Sequence, residues 1–300
     1  MWQPVKQVSR VALMLSPALG DSLLMMTIAR NLRLAQIAVT AFGSQMQVIK
    51  DWFPDIDIRP DLTEDRLDAT LPEFDAVIQM HRDRPFVDLH RLHPRVILLE
   101  PLYRARSPEA MADRLARFCK EQLGLTLAGK SNGITAPPGL EHRRHSLRVA
   151  IHPTASTSDK CWLPSRFLRL ALQLRERGFQ PQFVVAPQER AEWRHVERSG
   201  LTLPHFDSLH DVATWLYESG WFIGNDSGIG HLASSLQVPT LSLFMRRGIA
   251  RTWRPGWGSG QVLVGSSLLP TGRLRERYWK YMLSVGKVTQ AFDQLRAEFA

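Results

Sequence analysis

Apolar residues along this chain come in short bursts, and the bursts alternate with longer stretches in which apolar positions recur every three or four residues. A compact run of β-branched and apolar residues bounded by turn formers reads as a buried strand, and the longer period reads as a helix. Residues 8–15, 37–39, 76–78 and 96–99 are therefore predicted strands, with helices over 21–34, 45–50 and 108–123. Such strands are apolar on both faces, which suits a parallel sheet covered by helices on each side.

Between residues 126 and 146 the periodicity is lost, and Gly, Pro, Asn, His and Arg take over, with Pro137-Pro138-Gly139 in the middle. This is the texture of a linker. The second half restarts the rhythm, with strands predicted at 148–151, 182–185, 221–223 and 240–244 and helices at 165–177, 188–199, 212–218 and 229–236. Val285, Val288, Phe292 and Leu295 then mark an amphipathic closing helix. The pattern predicts an α/β chain in two halves of similar size.

Length agrees: 300 residues suit about two domains. Lys and Arg number 38 against 29 Asp and Glu, a net charge of +9, which points to an anionic partner. The bases are mostly Arg, densest at 81–95, 143–148 and 246–254, and no RNP or zinc-finger spacing accompanies them. A small phosphorylated ligand is thus expected rather than nucleic acid. The two cysteines, Cys119 and Cys161, are far apart and lack a C-x-x-C partner, so neither a zinc site nor a disulfide framework is indicated and a reducing cytoplasm is expected. The N-terminal residues lack signal-peptide features and no apolar run is long enough for a membrane span.

The segment 221–236 runs from strand through Gly224-Asn225-Asp226-Ser227-Gly228 into helix. That puts backbone N–H groups at a strand end, where a phosphate or a sugar hydroxyl can bind. The competing reading makes Asp226 or Ser227 a helix N-cap and the glycines mere turn formers. A second loop, 152–164, carries Thr154, Ser156, Thr157, Ser158 and Lys160, hydroxyls and an ammonium suited to a diphosphate; alone it reads equally as a solvated loop. Glu189 either accepts from ribose hydroxyls or decorates a helix start. Asp21, behind Gly20, is either a general base or an N-cap. Neither G-x-x-x-x-G-K-[ST] nor G-x-G-x-x-G follows the first strand, which disfavours P-loop and dinucleotide sites. Asp55-Ile56-Asp57 satisfies a metal-binding D-x-D pattern formally, but its alternation with apolar neighbours reads as a strand or turn with exposed acids. His81, His90 and His93 lie among arginines with no carboxylate or Cys spacing to complete a metal site.

Taken together, Leu19-Gly20-Asp21-Ser22-Leu23-Leu24, His152-Pro153-Thr154-Ala155-Ser156 with Lys160-Cys161-Trp162, Gly224–Ala233 and Val238-Pro239-Thr240-Leu241 closely resemble the ADP-heptose lipopolysaccharide heptosyltransferase family, glycosyltransferase family 9. The resemblance implies a GT-B fold: an acceptor-binding Rossmann-like domain over 1–140, a nucleotide-sugar-binding one over 147–270, and a helical segment over 271–300 that packs back on the N-terminal domain. It implies Asp21 as catalytic base. It implies Thr154, Ser156, Lys160, Glu189, Asp226, Ser227, Gly228 and His231 around the donor, with Glu192 a rival for Glu189. The implied activity is inverting transfer of heptose from ADP-heptose to the lipopolysaccharide inner core, without cofactor or metal. Arg82, Arg84 and Arg91 are candidates for binding an acidic acceptor. The mixed basic and aromatic stretch 273–281 reads first as an ordinary helix face and second as a candidate for peripheral contact with the cytoplasmic face of the inner membrane. A GT-B enzyme with another donor or acceptor, or a catalytically silent binding homologue, is the alternative.

Overall fold

A computed structural model describes residues 8–105, 107–265 and 272–299. They form two compact units that divide between Pro137 and Pro138, within the proline-rich stretch. The first unit contains β1 (Arg10–Met14), α1 (Leu19–Leu34), β2 (Ala38–Phe42), α2 (Ser44–Val48), β3 (Asp57–Arg59), α3 (Glu64–Thr70), β4 (Ala76–Gln79), β5 (Val96–Leu98), α4 (Glu100–Arg104) and α5 (Met111–Glu121). The second contains β6 (His145–His152), α6 (Pro164–Glu176), β7 (Gln180–Phe183), α7 (Arg190–Trp193), α8 (Leu209–Tyr217), β8 (Ser219–Asn225), α9 (Gly228–Ser235), β9 (Thr240–Phe244), α10 (Arg247–Trp253), β10 (Gly260–Val264), α11 (Gly272–Met282) and α12 (Val285–Ala297).

Each unit is built on a five-stranded sheet, ordered β3-β2-β1-β4-β5 in the first and β10-β9-β8-β6-β7 in the second. All the strand pairs are parallel. In both sheets the chain runs outward from a first strand on one side and then crosses to its other side. The crossing lies between β1 and β4 in the first sheet and between β6 and β8 in the second. At such a switch point the loops leaving the two carboxyl ends diverge and open a crevice.

The central strands are buried on both faces: β8 has no exposed residue and β9 none either. Helix α1 is buried from Ser22 to Ala29 almost without interruption, between its sheet and α5. Helix α6 turns Phe167, Leu170, Ala171 and Leu174 to the second core, at the three-to-four spacing that marks it in the sequence. That core also takes Trp162, Phe183, Trp221 and Phe292.

Three elements differ from the sequence expectation. Residues 188–199 do not form one helix; a single α turn at Arg190–Trp193 lies between two 3-10 segments. The buried Trp193 and Val196 stand three apart, a spacing that a 3-10 helix keeps on one face. Helix α10 and strand β10 form where the sequence pattern marks no element. The closing helix α12 buries Val285, Val288, Ala291, Phe292 and Leu295 against α6, β9 and β10, on the stripe that the sequence marks.

Candidate functional site

At the second switch point, β8 ends in Asn225, and Asp226 and Ser227 lead directly into α9. Ser227 is the N-cap: its side chain accepts the Gly230 N–H at 3.3 Å. The strand can approach its neighbour this closely only because residue 224 is glycine, since a Cβ there would fall 2.9 Å from the His152 carbonyl oxygen and 2.7 Å from the Phe222 ring. Lys160, on the loop after β6, places its Nζ 3.1 Å from the Asp226 Oδ2. The pair is mostly withdrawn from water, with side-chain exposures of 31% and 11%.

Asn225 makes this possible. Its Nδ2 donates to the Pro153 carbonyl at 2.7 Å and its Oδ1 accepts the Trp162 N–H at 3.0 Å, so one buried carboxamide closes both ends of the loop that carries Thr154, Ser156 and Lys160. Across β6 and β7, the Thr154 hydroxyl donates to Glu189 Oε2 at 3.0 Å, and the same oxygen accepts the Ala186 N–H at 3.0 Å. Glu192 is exposed on α7 and shares no contact with Thr154 among the described hydrogen bonds. Ser156 is exposed at the loop's outer side, while His231 is buried on α9 with its ring 6.0 Å from that of Trp257.

His152, the last residue of β6, is buried. Burial lowers its pKa, opposed by the Val184 carbonyl and the Glu189 charge. The neutral ring must carry its proton on Nδ1, because Nδ1 lies 2.8 Å from the Val184 carbonyl, which can only accept. Beside it opens a cavity of about 270 Å³ with an apolar wall of Val184, Val185, Phe206, Leu209, Val212 and Ile229. Lysine, hydroxyls, a helix N-terminus and an apolar slot thus meet at one sheet edge, a set suited to a nucleoside diphosphate.

In the first unit, Asp21 lies in the first turn of α1, not at its N-cap, which is Ala18. The Ser16 hydroxyl lies 3.3 Å from Asp21 Oδ2. Tyr103 of α4 belongs to the same neighbourhood: its hydroxyl donates to the Met80 carbonyl at 2.5 Å, and burial, then the charges of Asp21 and Glu100, raise its pKa. Gln79, at the end of β4, is fully buried and holds the following loop by donating to the His81 and Phe86 carbonyls at 2.7 Å and accepting the Phe86 N–H at 3.2 Å. That loop carries Arg82 and Arg84. Both are exposed, as is Arg91, whose guanidinium is 3.3 Å from Asp88.

The other candidates resolve as structure. Asp55 pairs with Arg30 at 2.7 Å and Asp57 with Arg59 at 2.8 Å. His93 is buried with both ring nitrogens against the backbone of Arg95 and Phe74. Among the described residues no group of three or more His, Cys, Asp or Glu is placed to hold a metal.

The family model for glycosyltransferase family 9 (heptosyltransferase) matches residues 106–276, more than half of the chain. The chain belongs to glycosyltransferase family 9. Lipopolysaccharide heptosyltransferase 3 of Escherichia coli is 28% identical over 144 residues, an alignment that spans 45% of this chain and 41% of that relative, less than half of its length. Among solved structures, a family 9 glycosyl transferase from Veillonella parvula matches over 99% of each chain with a TM-score of 0.72 at 18% identity. The E. coli ADP-heptose lipopolysaccharide heptosyltransferase II matches with a TM-score of 0.72 at 14% identity, over 97% of this chain and 100% of its own. The E. coli heptosyltransferase WaaC with ADP matches with a TM-score of 0.71 at 16% identity, over 95% of this chain and 99% of its own. At such identities the structures establish the fold, which is GT-B, and the family assignment establishes a glycosyltransferase.

Asn225 and Gln79, which clamp the loops of the candidate site, are the residues that sequence reasoning passed over. Asn225 stands inside the quoted Gly-Asn-Asp-Ser-Gly run, but nothing local distinguishes a buried clamp from a turn residue. Gln79 carried one usable signal, a polar residue ending an otherwise apolar burst.

Proposed function

We propose that this glycosyltransferase moves heptose from ADP-heptose to a hydroxyl of the lipopolysaccharide inner core, with inversion at the anomeric carbon. The observation that carries the reading is the Lys160–Asp226 pair at the start of α9, held at 3.1 Å beside the Thr154–Glu189 contact. Similarity to a heptosyltransferase solved with ADP and to two lipopolysaccharide heptosyltransferases supports the choice of donor and acceptor.

On this reading the adenine enters the apolar cavity, Glu189 accepts from the ribose, and the diphosphate lies against Lys160, the Thr154 and Ser156 hydroxyls, and the N–H groups at Ser227 and Gly228, with His231 behind them. Asp21 takes the proton from the acceptor hydroxyl as its oxygen attacks the anomeric carbon. The bond from that carbon to the diphosphate oxygen breaks, and the electron pair leaves with the diphosphate, whose charge Lys160 and the helix end stabilise. Arg82, Arg84 and Arg91 offer guanidinium forks to phosphates or carboxylates of the acceptor.

The acceptor is a glycolipid, and the outer side of α11 supplies a matching surface. Leu274, Tyr278 and Tyr281 are 37%, 40% and 55% exposed along one stripe of that helix. The helix sequence holds Arg273, Arg275, Arg277 and Lys280 against the single acid Glu276, itself paired with Arg246 at 2.6 Å. No helix among the described residues is long and apolar enough to cross a membrane, and the reading has this face resting on anionic lipid at the cytoplasmic surface.

Turnover with ADP-heptose and a heptose-deficient lipopolysaccharide acceptor tests the reaction. The wild type is expected to transfer, and Asp21→Ala to lose at least about a hundredfold in kcat while its ADP affinity stays within about twofold of wild type. A matching loss of ADP affinity would make Asp21 structural instead.

A further inference from the structure

The loop that carries Lys160 leaves the body of its unit at Pro153 and returns at Trp162, the two points that Asn225 holds. Its apex is the turn Ser158–Lys160, in which Ser158 and Asp159 are exposed. Within the loop that turn has only short-range backbone bonds, Lys160 N–H to Thr157 and Cys161 N–H to Ser158 at 3.1 and 3.2 Å. Bonds of this kind close a turn without fixing where the turn points.

Besides the Lys160–Asp226 pair, which holds the ammonium itself, one described contact reaches the backbone of the apex from a distant element. Trp279 of α11 donates its indole Nε1–H to the Asp159 carbonyl at 2.8 Å, across 120 positions of sequence. Trp279 is itself fixed, being 1% exposed. Arg166 of α6 donates to the Lys280 and Tyr281 carbonyls at 3.0 and 2.8 Å, satisfying the open end of α11. The backbone just after β10 lies flat against the same residue: a Cβ on Gly265 would fall 2.5 Å from the Trp279 Cβ. A rigid helix therefore presents one N–H to the residue preceding Lys160.

We propose that Trp279 is a positioning residue for donor binding, its indole N–H holding the Ser158–Lys160 turn so that the Lys160 ammonium stands beside Asp226 before a nucleoside diphosphate arrives. The proposal rests on the reading of Lys160 as a diphosphate ligand, but the state of the turn can be measured without any ligand. The gain is preorganisation: a loop ordered in advance is not ordered at the expense of binding. Losing one neutral hydrogen bond corresponds to about fivefold in an equilibrium constant.

Trp279→Phe keeps an aromatic ring in the core and removes the donor. Two readouts are taken alongside a melting temperature. The first is alkylation of Cys161, half-buried at the end of the turn, in unliganded protein; Cys119 is silent, being buried with its thiol pushed up to about 12. The second is ADP affinity by calorimetry in both the wild-type and the Lys160→Met backgrounds. The expected result is several-fold faster Cys161 labelling, ADP binding weakened about fivefold in the wild-type background, and no further weakening in the Lys160→Met background. Unchanged labelling, or an equal loss in both backgrounds, overturns the proposal. If the wild type binds no ADP, the donor reading falls and labelling alone decides the positioning role, a faster rate supporting it and an equal rate sinking it. Should Trp279→Phe fail to fold, Gly265→Ala, which keeps the indole and crowds its Cβ, carries the same comparison.

Discussion

The carboxamide of Asn225 donates to the Pro153 carbonyl and accepts the Trp162 N–H, through two separate atoms of one planar group. Alanine leaves a buried carbonyl and a buried N–H without partners, at about 1–3 kcal/mol each. Aspartate keeps the acceptor but turns an oxygen toward the Pro153 carbonyl. Asn225→Ala is therefore expected to lower stability by about 2–6 kcal/mol in denaturant melts and Asn225→Asp by at least as much, both with impaired nucleotide binding; an unaltered melt for either would remove the clamp from the account. His152 makes a second prediction. Its folded pKa is depressed by burial, so the native state stays neutral where the unfolded chain takes up a proton. The stabilisation is fully present above the unfolded value of about 6.5 and is lost as pH falls from there toward the folded value. His142, lowered first by burial and then by Arg143, adds the same sign. Asp75 and Glu109 are held low by hydrogen bonds, and their contributions fade only in the carboxylate range. Melting curves between pH 7 and 5 should show stability falling with pH, and His152→Asn should flatten that slope in part. An unchanged slope would mean that the imidazole is not held neutral.

At the scale of elements, the sequence was legible where burial is one-sided or complete and illegible where it is slight. Strands β1, β8 and β9 and helices α1, α6 and α9 stand out in the hydrophobic pattern because the core dictates their residues. Helices α3 and α10 bury only Leu67 and Ala250 respectively, and β10 lies at a sheet edge with no buried residue. With no face committed to the core, no period is written into the sequence. The site followed the same division. The pairing of Lys160 with Asp226 and of Thr154 with Glu189 draws together residues already marked by type and spacing, whereas Trp279 acts through a contact that no local pattern encodes and Gln79 shows only as a polar end to an apolar burst. The outward stripe of α11 carries its own expectation: wild-type protein should co-sediment with phosphatidylglycerol-containing vesicles, less so in high salt, and not with neutral vesicles. Tyr278→Glu with Tyr281→Glu should abolish the binding without altering turnover on a soluble acceptor fragment. Equal co-sedimentation of the double variant would place the contact elsewhere.

Across the whole molecule the two units repeat one device. Each parallel sheet reverses its strand order beside its first strand, and the strand across that reversal, β4 or β8, ends in a fully buried side-chain amide that clamps a loop at the carboxyl edge. In the first unit the clamped loop carries Arg82 and Arg84; in the second, the clamped loop carries Lys160. A positively charged chain with two such loops is well matched to two anionic partners, an acidic acceptor and a nucleotide sugar. The donor half of that account is open to one direct measurement: calorimetric titration of ADP, UDP, GDP and CMP into wild-type protein and into Lys160→Ala. The account predicts selective binding of ADP, weakened at least about tenfold by the lysine change, as expected for a lost charge-assisted contact. Absence of nucleotide binding, or a preference for UDP that the Lys160 change leaves untouched, would contradict it.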